Sequence, residues 1–406
     1  VKSKADKMKN VTIANTLKKN FFDRADVIAL LSADSPHDVG LIREAAKEIM
    51  LRECGTAVHC RGLVEFSNQC VNDCHYCGIR KGNSSVKRYS LSKEEILEAA
   101  RFCADAGYGS MVLQSGERRD EPFIAFVENV VGEIKTQTVS DRLPRGLGVT
   151  LCVGEQTEAT YRRFFDAGAH RYLLRIETTS WDLYRLIHPG SQQLSSRLEC
   201  LERLRRIGFQ VGTGVMIGLP GQTLEELADD VLFFRDMDID MIGMGPYIPH
   251  RQTPLASVPQ TFTKARAFHL GLRMISVCRI VCRDVNIAST TALQALEPDG
   301  REQGLEAGAN VIMPQVTPPS VRKDYLLYEG KPCLDETAGQ CRGCIEKRIL
   351  SMGRTLGADQ WGDPRHFAKR AIKAPANDPF FLPSSCNIGG MMLNSPTIEN
   401  DESDKA

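Results

Sequence analysis

Cys70, Cys74 and Cys77 stand in the run Glu65-Phe-Ser-Asn-Gln-Cys-Val-Asn-Asp-Cys-His-Tyr-Cys-Gly78, a C-x3-C-x2-C spacing with an aromatic residue just before the last thiol. Thiolates are soft ligands, and three of them within eight residues can wrap one side of a cubane iron–sulfur cluster. A [4Fe–4S] cluster has four irons and usually takes four cysteines. Three nearby ligands leave one iron without a protein thiolate, open to a small molecule that chelates through an amino and a carboxylate group. The bland alternative is a structural zinc knot, which would use C-x2-C pairs and a closed set of four ligands. The only further ligand close by is His75, inside the loop itself.

This spacing resembles the radical S-adenosylmethionine superfamily, whose members bind and reductively cleave S-adenosylmethionine at such a cluster. Ser115-Gly116-Glu117, read alone, is an ordinary turn after a strand. Next after the cysteine loop it falls where the superfamily carries a glycine-rich turn facing the ligand's ammonium group, and Gly116 suits a backbone that must approach closely. Arg175 and Glu177 alternate on one strand and so share a face. Unless they only pair with each other, Glu177 is expected at the nucleoside or amino end of the ligand and Arg175 at a substrate carboxylate. Arg197, on the following helix, is either an exposed surface arginine or a clamp for the ligand's carboxylate. A second group, Cys333-x7-Cys341-x2-Cys344, offers three more soft ligands for a second iron–sulfur cluster or a metal, against the alternative of free thiols. His250 reads as a packed loop histidine. Cys103, Cys152, Cys200, Cys278 and Cys282 lie in apolar stretches and read as plain buried residues.

Short apolar runs alternating with amphipathic stretches must position these groups. Strands are expected at Leu63–Ser67, Ser110–Gln114, Gly148–Cys152, Tyr172–Ile176, Gln210–Met216, Met241–Gly245, Asn286–Thr290 and Asn310–Pro314. Helical patterns cover Lys93–Ala106, Glu158–Ala167, Ser196–Ile207, Leu224–Met237 and Phe262–Val281, and Gly107, Gly168 and Gly208 supply helix stops. Eight such units predict an α/β fold, a closed (β/α)8 TIM-type barrel whose chemistry sits at the strand C-terminal ends; an open six-stranded barrel is the fallback. Residues 1–60 read as a helical lead-in closing the barrel bottom, 61–350 as the barrel with the second cysteine group, and 374–406 as a polar, poorly ordered tail. The chain has 406 residues, with 51 Lys plus Arg against 51 Asp plus Glu, so no polybasic surface points to nucleic acid or an anionic membrane. No apolar run is long enough to span a bilayer. Fourteen cysteines in a chain of this size read as reduced thiols or ligands. The cytoplasm, or an anaerobic organelle such as a plastid or hydrogenosome, is therefore expected. The first residue, Val1, reads as an incomplete N-terminus.

Glu65-Phe-Ser-Asn-Gln-Cys70, Leu113-Gln-Ser-Gly-Glu117, Arg171-Tyr-Leu-Leu-Arg-Ile-Glu-Thr178, Gly218-Leu-Pro-Gly-Gln-Thr223, Gly245-Pro-Tyr-Ile-Pro-His250 and Ala309-Asn-Val-Ile-Met-Pro314 together resemble the [FeFe]-hydrogenase maturases of the HydE type over roughly residues 25–360. The resemblance implies a complete barrel with an internal cavity. It also implies a 5′-deoxyadenosyl radical made at a cluster on Cys70, Cys74 and Cys77, with Arg175 and Thr291 in the chemistry. Tyr76 and Met244 would flank adenosine, and Ser115, Gly116, Glu117, Glu177 and Arg197 would hold S-adenosylmethionine. Thr150, Arg175, Thr290, Thr291 and Tyr328 would line the substrate cavity, and Cys333, Cys341 and Cys344 match a variable second-cluster site. The implied substrate is a small organometallic iron–cysteine carbonyl/cyanide species. The implied partners are a ferredoxin- or flavodoxin-like electron donor and other maturases. Ile176 stands where some relatives carry histidine. The alternatives kept open are a methylornithine synthase-like mutase, a biotin synthase-like enzyme and a non-enzymatic iron–sulfur carrier.

Overall fold

In the computed structural model, residues 12–373 are described, so the tail beyond 373 and any leader lie outside them. Among the described residues there are eleven strands: β1 (Ala57–Ser67), β2 (Ser110–Ser115), β3 (Gly148–Cys152), β4 (Ala169–Leu173), β5 (Gln210–Thr213), β6 (Met216–Ile217), β7 (Met241–Ile242), β8 (Gly245–Pro246), β9 (Asn286–Ser289), β10 (Val311–Ile312) and β11 (Thr355–Leu356). Eight of them pair in parallel in the order β1-β2-β3-β4-β5-β7-β9-β10, and β10 returns to β1 through His59↔Val311 and Cys60↔Ile312. The expected closed barrel is thus formed. Its strands are buried on both faces, as a parallel sheet under a ring of helices must be. Among the described residues no helix is long and apolar enough to cross a membrane.

The helices begin and end where the chemistry of their termini dictates. Ser92 and Thr223 form capping boxes with Glu95 and Glu226. Gly208, at φ 109°, ends the helix Leu194–Ile207 in the left-handed conformation that an L side chain resists.

The sequence expectation was off in three places, each with a physical reason. First, β1 starts at Ala57, six residues before the apolar run, because His59 and Arg61 line the lower barrel. Second, the expected single strands Gln210–Met216 and Met241–Gly245 are each broken in two. At the break the backbones of Gly214 and Gly243 meet so closely that a Cβ on Gly214 would lie 1.8 Å from the Gly243 carbonyl oxygen. Strand β4 likewise ends at Leu173, and the chain continues irregularly to Glu177, whose N–H reaches the Gly214 oxygen (3.0 Å). Third, the N-terminal helices pack mainly on outer helices of the barrel, Pro36–Cys54 on Lys264–Cys282 and Arg24–Ser32 on Leu224–Asp236.

The bottom is closed instead by the returning C-terminal segment. Arg171 donates to the Trp361 oxygen and pairs with Asp363. The Gly362 oxygen accepts from Arg61 (3.3 Å) and Asn286 (2.7 Å). Helix Arg365–Lys373 then docks through His366 to Asp238 (2.6 Å) and Arg370 to Asp240 (2.7 Å). Buried guanidinium groups need such partners, so the folded unit runs past the expected boundary at 350.

Candidate active site

The cysteine loop leaves the C-terminal end of β1, and its three thiols line a cavity of ≈ 310 Å³ in the barrel mouth. The main-chain N–H of Glu117 reaches the Cys70 sulfur (3.4 Å), and the Cys74 thiol reaches the Gln192 side chain (3.4 Å). Burial pushes the Cys74 thiol up to about 12 and the Cys77 and Cys70 thiols up as well, with repulsion from neighbouring thiolates adding to it for Cys77. One buried and two half-buried thiols with no sufficient cation of their own suit a thiophilic, positively charged occupant that makes thiolates of them. Among the described residues no three His, Cys, Asp or Glu side chains converge as a single ion requires. The three thiols share one cavity wall with room beside them for a group larger than a single ion. His75 turns away, with Nδ1 at 2.9 Å from the Leu186 oxygen.

Around this wall the structure gathers most of the residues expected to hold the ligand. Tyr76, Ser115, Gly116, Glu117, Glu177 and Arg197 all border the same cavity. Gly116 is required for a reason beyond ligand approach, since a Cβ there would lie 2.3 Å from the Gln69 oxygen, in the cysteine loop. Arg197 is not an exposed helical arginine. It is buried, 2.7 Å from Glu155 and 3.6 Å from Glu117, and donates to the Arg175 oxygen (3.2 Å). Burial works against its charge, but the two carboxylates more than offset that and hold it well above the ordinary value.

Arg175 and Glu177 face each other. The guanidinium grips the carboxylate at 2.8–3.1 Å and also takes the carbonyls freed where the strands break, Gly243 (2.6 Å) and Val215 (3.0 Å). Glu177 holds φ at 67°, a left-handed conformation uncommon for a non-glycine residue and typical of functional sites. A ligand that reaches Arg175 must therefore share it with Glu177.

On the substrate side, Thr290 and Thr291 border the cavity with Tyr328, and the Thr291 and Tyr328 hydroxyls are 2.7 Å apart. Two expected residues are placed differently. Met244 is buried with its sulfur toward Cys278 (3.9 Å) and is absent from the cavity wall, where its neighbours Gly243 and Gly245 stand instead. Thr150 is buried and absent from the cavity wall, and its hydroxyl has no hydrogen-bond partner among the described residues. Cys152, read as a plain core residue, does reach the cavity wall. His250 is packed, as expected, against Gly78.

Sequence reasoning missed two constellations. Glu155 and the exposed Arg119 complete a network with the buried Glu117 and Arg197, Arg119 lying 2.5 Å from Glu117 and 3.1 Å from Glu155. A signal was present: Leu113-Gln-Ser-Gly-Glu117 and Leu151-Cys-Val-Gly-Glu155 put a Gly-Glu at the same offset after consecutive strands. Glu65 and Lys331 form a second buried pair at 2.5 Å on the cavity wall. A lone Glu in the apolar run of β1 was its mark.

Cys333, Cys341 and Cys344 line one smaller cavity of ≈ 140 Å³, with Arg301 and Arg348, beside helix Ala338–Ser351. A hydrogen bond from Cys333 is the main cause lowering the Cys341 thiol to about 6, and it pushes Cys333 up.

Comparison with known proteins agrees with this geometry. The Radical SAM superfamily model matches residues 64–234. The chain is 40% identical to the [FeFe] hydrogenase maturase subunit HydE of Thermotoga maritima over 87% of this chain and 98% of that protein. It is 25% identical to the 3-methylornithine synthase of Methanosarcina acetivorans over 81% of this chain and 88% of that protein. Among solved structures, methylornithine synthase (PylB) superposes with a TM-score of 0.71 at 24% identity, covering 86% of this chain and 97% of that one, which shows the shared fold.

Proposed function

Because the chain belongs to the HydE family of [FeFe]-hydrogenase maturases, within the radical S-adenosylmethionine superfamily, we propose that its cavity carries out a radical step in building the dithiolate-bridged di-iron subcluster of the hydrogenase, from an iron–cysteine carbonyl/cyanide precursor. The observation that carries this reading is one cavity lined both by the three thiols and by the hydrogen-bonded Thr291–Tyr328 pair.

Cys70, Cys74 and Cys77 would hold a [4Fe–4S] cluster. With S-adenosylmethionine bound, that cluster supplies one-electron cleavage to methionine and a 5′-deoxyadenosyl radical. The residues of this chain do the rest. Arg197, already flanked by Glu117 and Glu155, presents a guanidinium to the ligand's carboxylate. The Ser115–Glu117 turn faces its ammonium group, and Tyr76 offers an aromatic wall for the nucleoside. Arg175 and Glu177 stand between ligand and substrate, where a carboxylate-bearing substrate would draw the guanidinium from its partner. Thr290, Thr291 and Tyr328 orient the substrate by hydroxyl contacts, and the closed barrel keeps water from the radical. A second thiophilic group at Cys333, Cys341 and Cys344, and reduction by a small one-electron carrier, belong to the same reading.

The test is anaerobic reconstitution with iron and sulfide, reduction, addition of S-adenosylmethionine and assay of 5′-deoxyadenosine, with Cys74→Ala as control. Nucleoside from the wild type alone, followed by rescue of hydrogenase assembly in a strain lacking its own maturase, supports the proposal. Nucleoside without rescue would move the reading to a methylornithine synthase-like or biotin synthase-like activity. No nucleoside from a reducible cluster would favour a carrier.

A further inference from the structure

Between the cysteine loop and helix Lys93–Asp105 lies a cation that none of these roles uses. Arg88 donates from Nη1 to the carbonyl oxygens of Asn68 (2.7 Å) and Ile79 (2.7 Å). From Nη2 it donates to Arg80 (2.6 Å) and Asn83 (3.2 Å), and at longer range to Lys81 (3.5 Å). The acceptors lie on both sides of the cysteines: Asn68 comes two residues before Cys70, and Ile79–Asn83 follow Cys77. A guanidinium is a rigid planar fork with five N–H donors, and here it closes the neck of the loop that carries all three thiols. The neighbouring bonds tighten the same neck. Asn68 donates to the Lys87 (2.8 Å) and Asp324 (2.7 Å) oxygens, and the Lys81 N–H reaches the Asn72 oxygen (2.7 Å).

The charge of Arg88 is also unlike that of its neighbours. Arg80 is paired with Asp73 (2.5 Å) and Arg118 with Asp120 (2.7 Å), so their fields are largely cancelled. Among the described residues, the hydrogen-bond partners of Arg88 are all main-chain carbonyls. An uncancelled cation behind a cluster favours the form with one more electron, because net charge and hydrogen bonding around a cluster set its potential.

We propose that Arg88 is a positioning residue for the cluster. It ties the loop shut so that three thiols stay preorganised, and its unpaired charge holds the cluster's reduction potential up. This rests on the reading that Cys70, Cys74 and Cys77 hold a [4Fe–4S] cluster.

The two roles separate in two variants of the full chain, Arg88→Lys and Arg88→Met, with Lys87→Met as a control that removes an exposed neighbouring charge. Each is reconstituted anaerobically. Iron retained after desalting and exposure to a chelator is measured, and the potential is titrated by electron paramagnetic resonance without S-adenosylmethionine. Arg88→Lys keeps the charge but loses the fork, so it should release iron several-fold faster with a potential close to wild type. Arg88→Met should release iron as fast and shift to a lower potential, while Lys87→Met moves neither. Equal iron release and equal potentials in all four proteins overturn the inference. So does loss of the barrel fold in both Arg88 variants, which would make the residue a general folding determinant. A wild type that takes up no cluster would overturn the underlying reading instead, and the two failures are distinguishable.

Discussion

His366 in the bottom clasp should make stability depend on alkaline pH. Its imidazole lies 2.6 Å from Asp238 and 3.2 Å from Asp284. Burial opposes its charge, but hydrogen bonds to the two carboxylates more than offset that and raise it from 6.5 to about 9. A proton held more tightly in the folded state gives a contribution that is complete below the unfolded value, near 6.5, and is lost as pH rises through about 9. At ~1.4 kcal/mol per unit the full effect is about 3.4 kcal/mol, of which ~2.6 kcal/mol remains at pH 7 and ~0.4 kcal/mol at pH 9. Wild type should therefore lose about 2 kcal/mol more than His366→Gln between pH 7 and pH 9. Urea unfolding of the cluster-free protein at both pH values measures this, and the comparison cancels groups common to both chains. Hydrogen exchange in helix Arg365–Lys373 should rise over the same interval. Parallel pH profiles for the two proteins would refute the reasoning.

Arg197→Met should weaken S-adenosylmethionine binding about 10- to 100-fold, the worth of charge-assisted hydrogen bonds, as read by calorimetry on the reconstituted protein; an unchanged affinity would remove Arg197 from the ligand site. Gly116→Ala should lower iron content, because its Cβ would fall 2.3 Å from the Gln69 oxygen and push the cysteine loop away; full iron loading would show that the loop can yield at no cost. Lys331→Met should destabilise the fold by about 3–5 kcal/mol by leaving Glu65 buried and unpaired, and Glu65→Gln with Lys331→Met should recover most of it in urea titrations. A double variant as unstable as the single would mean that the pair serves packing rather than charge balance.

What could be read ahead of the structure was whatever depends on local chemistry. Gly107, Gly168 and Gly208 ended their helices because a left-handed residue is a local demand, and the C-x3-C-x2-C spacing carried its chemistry in eight residues. The strand breaks at Gly214 and Gly243 were hidden because each glycine is needed only where the other's backbone arrives. Met244 sat in the right stretch, but the same break turns its side chain into the core. The bottom clasp was invisible for a related reason: Arg61 and Arg171 look like errors in apolar strands until Gly362 and Asp363 are brought to them. Arg197 shows the converse. A surface-like residue in a helical pattern proved buried because Glu117 and Glu155, from two other strand ends, converge on it.

The clasp also sets a timetable. Arg61 and the Gly362 oxygen that receives it are 301 residues apart. At about 5–20 residues per second of synthesis, Arg61 leaves the ribosome ~15–60 s before its partner exists. During that interval the lower end of the barrel cannot exclude water without stranding two guanidinium groups. The nascent chain must keep these guanidinium groups hydrated, first as an open sheet and, once β10 has paired with β1, as an unsealed barrel, until nearly the last of the described residues has been made.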